Sequence, residues 1–586
     1  VVESPSKART IEQYLGGEFE VIASVGHIKD LPSNELGIDI ENDFKINLKP
    51  LSDRKKFIDE IKFKSVEAPR VLIATDPDRE GEAIAAHIAS ETPPEKTERV
   101  EFTEITKAGI SDAMNQIRKI DKNLVDAQIA RRIIDRLVGY KVSPILWATL
   151  KKNMNFVSGS LSAGRVQSAA VKLLIDRERL RARFKHTTYF DILAELEDKK
   201  EKISFDALLI RYNEKTIASS RNFDSETGIL KSNDVLLLDE TQVSEVFNDL
   251  NDDQWEVLTV EEKPRTSNPR PPFTTSTLQQ EAARKLRMSA RQTMRNAQSL
   301  YENGFITYMR TDSTHLSIEA VEGSRKIIKD LFGNEYLPSN PNSYANKVRN
   351  AQEAHEAIRP AHREFRTVDD VRSALDKDCA SLYDLIWKRT IASQMLPAKL
   401  KQTGINIKNG KAIFRANGQV VLFPGYMKVY VEGKDNPDAE LANNEKILPN
   451  LRTGDTVLCK DSRKQSHKTK PPARFTEASL VKTLEGNGIG RPSTFASILD
   501  TIVKRGYVDR KSSRLVPTYL GLAVTQLLEN HFTNLVDKEF TAKMEDSLDE
   551  IARGERKSIP FIKNFYFGGK GEIFVGLENM LEEKID

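Results

Sequence analysis

Cysteine is nearly missing from this chain. Its two examples, Cys379 and Cys459, lie far apart and outside any Cys-x-x-Cys spacing. That excludes a disulfide framework and a zinc ribbon, and it suits a reducing cytoplasm. No apolar run approaches the ~20 residues needed to cross a bilayer. The start, Val1-Val2-Glu3-Ser4, has neither an initiating Met nor a signal-type pattern, and it reads as a first strand cut short. No Gly-Lys pair is followed by Ser or Thr, so a P-loop is absent and no nucleotide fuel is implied. His355-Glu356 lacks the second histidine of a zinc protease. No internal repeat or low-complexity tail is present. Excess charge of one sign is missing too, because 89 Lys and Arg nearly balance 86 Asp and Glu, for a net +3.

The basic residues are clustered all the same. Arg131, Arg132 and Arg136 share a predicted helix, Arg284, Lys285, Arg287 and Arg291 precede a tyrosine-bearing segment, and Lys464–Arg474 reads as a basic, Pro-containing loop. Each run alone is a solvated face; beside a phosphate-chemistry signature they suggest a nucleic-acid track. At 586 residues the chain is expected to hold several domains. Residues 1–150 alternate strand and helix, with strands at Val1-Val2, Phe19–Val25, Arg70–Thr75 and Arg99–Phe102 and helices near 6–15, 82–90, 107–118 and 123–140. That pattern predicts an α/β domain with a mainly parallel sheet. Short alternating strands from His186 to about 260 and again over Gly404–Val431 flank a helical block. The block opens after the Pro-rich linker Lys263–Phe273, which predicts a β domain with an insertion. The chain beyond 432 reads as mostly helical.

Three places carry chemistry. Strand Val71–Thr75 ends in Asp76-Pro-Asp78-Arg-Glu80, and function gathers at the carboxyl ends of strands in open α/β sheets. Three acids at alternate positions with oxygen-only donors suit Mg²⁺. The first strand leads through Glu3 to Ser4-Pro5-Ser6-Lys7, where Ser4 suits an N-cap and Pro5 the first helical turn. Lys7 would strengthen an anion site there. Neighbouring carboxylates could leave Glu3 protonated. In Phe305-Ile-Thr-Tyr308-Met-Arg310, an extended backbone would point a tyrosine hydroxyl and a guanidinium the same way, which suits attack on a phosphodiester. These residues alone leave open a strand-cleaving enzyme, a metal-dependent nuclease and a silent single-strand binding module.

Nine blocks then occur in a fixed order: VVESPSKARTIEQYLG (1–16), SVGHIKDLP (24–32), ATDPDREGEAIAAHI (74–88), ARRIIDRLVGYKVSPILW (130–147), LSAGRVQSAAV (161–171), PFTTSTLQQEAARKL (272–286), GFITYMRTDS (304–313), AHEAIRP (354–360) and GIGRPSTFASI (488–498). Together they resemble the core of a bacterial type IA DNA topoisomerase, of the topoisomerase I rather than the topoisomerase III kind. Gly486 departs from the acidic residue expected there.

The resemblance implies a multidomain fold of α/β, α and β domains: a Rossmann-like Toprim domain within a toroidal core. The Toprim domain would span 1–150, a helical DNA-track domain 151–190 and 432–586, a β arch 191–268 and 396–431, and a helical domain carrying the tyrosine 269–395. It implies ATP-independent relaxation of negatively supercoiled DNA in the cytoplasm, at the nucleoid, by a monomer with Mg²⁺ and no membrane partner. Tyr308 would be the nucleophile, with nearby cations favouring its phenolate. Arg310 and Lys7 would stabilise the phosphoryl charge, Glu3 would act as acid and then base, and His355 would contact the scissile strand. Asp76, Asp78 and Glu80, with Glu3, would hold the metal. Arg131, Arg165, Arg491, Thr494 and His27 would line the single-strand track. Many relatives carry C-terminal zinc ribbons or basic repeats; with two cysteines and an end at Asp586, such a tail is expected to be absent or removed here.

Overall fold

The structure is a computed structural model describing residues 1–151, 161–251, 254–344, 356–433, 446–568 and 576–582. The chain divides into two compact units, one of residues 1–175, 270–394 and 475–586, the other of 176–269 and 395–474.

The first unit opens with a small parallel sheet. Val1 and Val2 bond on both sides: Val1 N to Leu72 O (2.6 Å) and Ala74 N to Val1 O (2.7 Å), then Val2 N to Ile22 O (2.9 Å) and Ser24 N to Val2 O (2.8 Å). Strand Val71–Ile73 pairs in parallel with Thr97–Arg99. Helices Pro5–Leu15, Lys55–Glu67 and Arg79–Ala89 accompany the sheet, and Ile28, Ile58, Ile61, Ile73, Ile84 and Ile88 form a core cluster. Near-continuous apolar runs are what parallel strands covered on both faces require.

Three expected strands are shorter than the sequence suggested, Arg70–Thr75 being reduced to Val71–Ile73. Phe19–Val25 contributes a single bridge, Val2 to Ala23, and the strand expected at Arg99–Phe102 ends at Arg99. Beyond Arg99 the ladder makes one more bond, Val100 N–H to Ile73 O (3.0 Å), and the next carbonyls, of Thr75 and Asp76, are taken by the fully buried Arg99 guanidinium.

The rest of this unit is helical. Lys122–Leu146, capped by Asp121, packs with Arg165–Arg183, Lys538–Ala552 and Ser558–Phe567 around a core that includes Ile134, Leu137, Leu174, Leu548 and Ile562. The predicted helix at 123–140 therefore runs further, absorbing Pro144 in its last turn. The helical run expected from Ala290 to Asn303 is the helix Ala290–Glu302, capped by Ser289.

The second unit is built on eight strands among the described residues. Glu256–Ser267 pairs antiparallel with Ala398–Asn409, which pairs with Ala412–Phe423; Thr188–Asp198 pairs with Ser204–Tyr212 and with Val457–Lys468. Ile192, Leu196, Trp255, Ile405, Ile407 and Phe414 lie in its core. Two expectations are corrected here. Lys263–Ser267 is not linker but the end of strand Glu256–Ser267, and Pro264 is tolerated because that strand is at a sheet edge. Beyond 432 helices predominate among the described residues, as expected, but Lys464–Lys468 finishes the twelve-residue strand Val457–Lys468 instead of opening a loop. That strand pairs along its length with Thr188–Asp198, and its lysines suit a partly exposed strand that needs no apolar run.

Candidate active site

Glu3 and the acidic turn leave the sheet side by side, because the first strand and Val71–Ile73 are neighbours. Glu3 accepts the peptide N–H of Asp76, a partly buried contact. Ser4 caps helix Pro5–Leu15 by accepting Lys7 N–H (3.2 Å), with Pro5 at its start as expected. Lys7, 1% exposed, reaches Asp76 Oδ1 at 3.1 Å. The carboxylates differ in backbone setting. Asp76 ends the sheet connection. Asp78 is the N-cap of helix Arg79–Ala89, its Oδ1 accepting Gly81 N–H at 2.8 Å, and Glu80 lies in the first helical turn. The helix thus starts earlier than the predicted 82, since a capping Asp needs only the three residues after it. Gly81 is required by packing: a Cβ there would sit 2.1 Å from the Asp76 carbonyl oxygen.

Tyr308 lies beyond helix Ala290–Glu302 in an irregular segment, not in a strand; its one ladder contact is the bridge of Ile306 to Pro360. The loop is pinned on several sides. Tyr308 N–H donates to Thr103 O (2.8 Å), the Thr275 hydroxyl donates to Met309 O (2.7 Å) while accepting Thr311 N–H (2.8 Å), and Thr307 exchanges bonds with Arg359. Gly304, with φ +74°, admits the Ile105 carbonyl where a Cβ would be 2.4 Å away. The expected pairing of tyrosine and arginine holds, by a different route. Tyr308 Oη donates to Asp78 Oδ2 at 2.7 Å, and Arg310 Nη1 stands 3.1 Å from the same oxygen and 2.9 Å from Glu80 Oε2.

Electrostatics separate the acids. Burial first, then the charge on Asp76, pushes Glu3 up to about 8, so it holds its proton at neutral pH. The sequence named the neighbouring carboxylate; burial is the larger cause. Glu80 goes the other way, to about 2, held down by His27 first and, against burial, by Arg310. Tyr308 corrects an expectation. Burial, then Asp78 and Asp76, raises its hydroxyl well above the ordinary phenol value, and the opposing pull of Arg310 toward the phenolate is outweighed.

Of the residues named from sequence, Glu3, Lys7, Asp76, Asp78, Glu80, Tyr308 and Arg310 come together. His27 joins them, its Nε2 3.6 Å from Glu80 Oε1. His355 lies outside the described residues. Arg131 and Arg165 bond Glu545, and Arg491 bonds Asp549 (Nη2, 2.7 Å) and Asp546 (3.0 Å). Thr494 Oγ1 accepts Arg491 N–H at 2.8 Å. A cavity of about 420 Å³ is lined by Asp78, Glu80, Arg131, Arg310 and Thr494, among others.

Among the described residues no three of His, Cys, Asp and Glu converge as a metal cage. Asp78 and Glu80 do converge on one point, since a single guanidinium nitrogen bonds both. Two carboxylates with the remaining positions left to water fit Mg²⁺, which is often held that way. All four expected ligands carry protein contacts: Glu3 the Asp76 N–H, Asp76 the Lys7 ammonium, and Asp78 and Glu80 the Arg310 guanidinium.

The sequence reading missed the acids Glu545 and Asp549, both buried and each holding two arginines. It also missed Glu104, which pairs with buried Arg359 at 2.9 Å. Their signal is weak: Glu545 and Asp549 fall at i and i+4, one face of an otherwise ordinary amphipathic helix.

The chain also resembles known proteins. The family model described as DNA topoisomerase matches residues 119–563, and the Toprim domain matches 1–105. The chain is 47% identical to a DNA topoisomerase 1 of Synechocystis sp. over all of its own length and 65% of the relative's. It is 47% identical to the Streptomyces coelicolor DNA topoisomerase 1, covering 97% of this chain and 61% of that one. The chain therefore spans somewhat less than two thirds of the length of these curated relatives. The solved structure of full-length topoisomerase I from Thermotoga maritima superposes with a TM-score of 0.80 at 36% identity, covering 97% of this chain and 88% of that one. A tyrosine set against Toprim carboxylates, a family match across three quarters of the chain and this likeness in fold lead to one assignment: the chain belongs to the bacterial type IA DNA topoisomerases.

Proposed function

We propose that this chain cleaves and rejoins one strand of DNA through Tyr308, relaxing negatively supercoiled DNA without ATP, as a monomer in the cytoplasm at the nucleoid. The observation that carries the reading is the 2.7 Å bond from the Tyr308 hydroxyl to Asp78, with Arg310 on the same carboxylate. In cleavage, Tyr308 Oη forms a bond to phosphorus as the P–O3′ bond breaks, leaving a 5′-phosphotyrosine. The phenol proton passes to Asp78, the acceptor it already faces. Glu3, which keeps its proton at neutral pH, gives it to the departing 3′-oxygen. Arg310 and Lys7 offset the charge that grows on the phosphoryl oxygens. Rejoining reverses each transfer: Glu3 takes the proton from the 3′-hydroxyl and Tyr308 leaves. Because the phosphotyrosine conserves the energy of the broken bond, no nucleotide is needed. Asp78 and Glu80 would hold Mg²⁺, which supplies electrophilic alignment of the 3′-hydroxyl when bound.

Arg131, Arg165, Arg491, Thr494 and His27, with His355, form the track for a single strand in this reading. The test is to incubate the protein with end-labelled single-stranded DNA, quench with detergent and map the adduct. Attachment at Tyr308, with Tyr308→Phe losing the adduct and keeping single-strand affinity within about threefold, supports the mechanism. Attachment at any other residue, or release of a free 5′-phosphate with no trapped protein, overturns it.

A further inference from the structure

Four arginines converge on one face of helix Lys538–Ala552. Glu545, fully buried, takes Arg131 (3.0 Å) and Arg165 (2.6 Å). Asp549, one turn on and 2% exposed, takes Arg79 on Oδ1 and Arg491 on Oδ2 through Nε (2.9 Å) and Nη2 (2.7 Å). The two arginines on Asp549 come from separate segments of the chain. Arg79 sits in the chain between Asp78 and Glu80, at the first turn of helix Arg79–Ala89. Arg491 shapes the loop before helix Phe495–Lys504, its Nη1 donating to the carbonyls of Gly488 (3.0 Å) and Gly490 (2.9 Å). Both segments line the same 420 Å³ cavity, the first through Asp78, Arg79 and Glu80 and the second through Pro492, Ser493 and Thr494.

A pair of buried charges contributes little net stability, because desolvation offsets much of the attraction. What such a pair does supply is registry between the elements it joins. We propose that Asp549 is a positioning residue that sets the spacing between the acidic turn and the Arg491 loop, so that Mg²⁺ binding at Asp78 and Glu80 and strand binding at the loop influence each other. This rests on the reading that the cavity receives a DNA strand. Asp549 touches neither DNA nor metal. It acts through one oxygen on each wall, and linkage makes any effect reciprocal: the factor by which Mg²⁺ changes strand affinity equals the factor by which the strand changes Mg²⁺ affinity.

The experiment measures that factor. Binding of a fluorescent single-stranded oligonucleotide is followed by anisotropy in chelator and in saturating Mg²⁺, in a Tyr308→Phe background so that the DNA stays intact. The protein with Asp549 is expected to show a change of threefold or more between the two conditions. With Asp549→Asn the ratio falls to within about 1.5-fold of unity, while affinity in chelator changes less than threefold. Arg79→Gln, which leaves Asp549 and Arg491 bonded and cuts only the tether to the turn, is expected to lose the ratio in the same way. It also serves if Asp549→Asn does not fold. Arg491→Lys lowers affinity in both conditions. A ratio retained in either folded variant, or a ratio of unity with Asp549 and Arg79 both in place, overturns the proposal. Failure of the Asp549 protein to bind the oligonucleotide at all would instead overturn the functional reading beneath it.

Discussion

Arg310 Nη1 lies 3.1 Å from Asp78 Oδ2, and the same nitrogen is 2.9 Å from Glu80 Oε2. A guanidinium therefore stands where a metal shared by those two carboxylates would stand, and the two cations compete for one place. Arg310→Gln should tighten Mg²⁺ binding by roughly tenfold, about 1.4 kcal/mol, read by isothermal titration calorimetry without DNA. Unchanged or weaker binding would show that the metal uses other ligands. The same variant should slow cleavage, because the phosphoryl oxygens lose their nearest guanidinium.

Glu3 makes the protein sensitive to pH in a defined direction. Its carboxyl is raised from 4.5 to about 8 by burial and then by Asp76. Its contribution to stability is therefore fully present below pH 4.5 and is lost as pH rises through about 8. The span corresponds to roughly 5 kcal/mol. Thermal melting of the protein and of Glu3→Gln across pH 5–9 checks this: the variant should show the flatter profile. Strand cleavage should fall above pH 8 with Glu3 present, since the leaving oxygen then loses its proton donor. A cleavage rate that keeps rising past pH 9 would remove Glu3 from that role.

Gly81→Ala tests how tightly the acidic turn is built. The added methyl would sit 2.1 Å from the Asp76 carbonyl oxygen and 2.9 Å from its nitrogen, both backbone atoms. The turn must shift, at a cost of roughly 1–3 kcal/mol. The readout is a lower urea midpoint together with weaker Mg²⁺ binding. A variant as stable as the parent, with unaltered metal affinity, would mean that the turn is looser than this packing indicates.

Salt dependence reports which arginines meet phosphate. Single-strand affinity should fall with salt at a log–log slope of about −0.7 for each phosphate neutralised. Arg131 lines the cavity yet bonds Glu545, so its role is open to measurement. If it serves the strand, Arg131→Gln reduces the steepness by about 0.7. An unchanged slope assigns Arg131 to Glu545 alone.

Local chemistry was legible where residues adjacent in sequence also act together. Ser4 and Pro5 announced a capped helix, and strand Val71–Ile73 announced acids at its carboxyl end, because caps and strand ends depend on near neighbours. Tyr308 and Arg310 were paired correctly on a mistaken premise. The alternation of a strand suggested a shared face, whereas Asp78 gathers both side chains from an irregular loop. Strand Val457–Lys468 was invisible for the converse reason: polar along most of its length, it carries no apolar period to read. Glu545 and Asp549 were out of reach of local pattern altogether, since their partners Arg79, Arg131 and Arg165 come from the far end of the chain.

The setting of Tyr308 has a consequence beyond catalysis. Its side chain is 2% exposed, its hydroxyl is engaged by Asp78, and its acidity is suppressed by burial and by that carboxylate. On the reading proposed above, the group that would open a DNA strand therefore rests sheathed and uncharged.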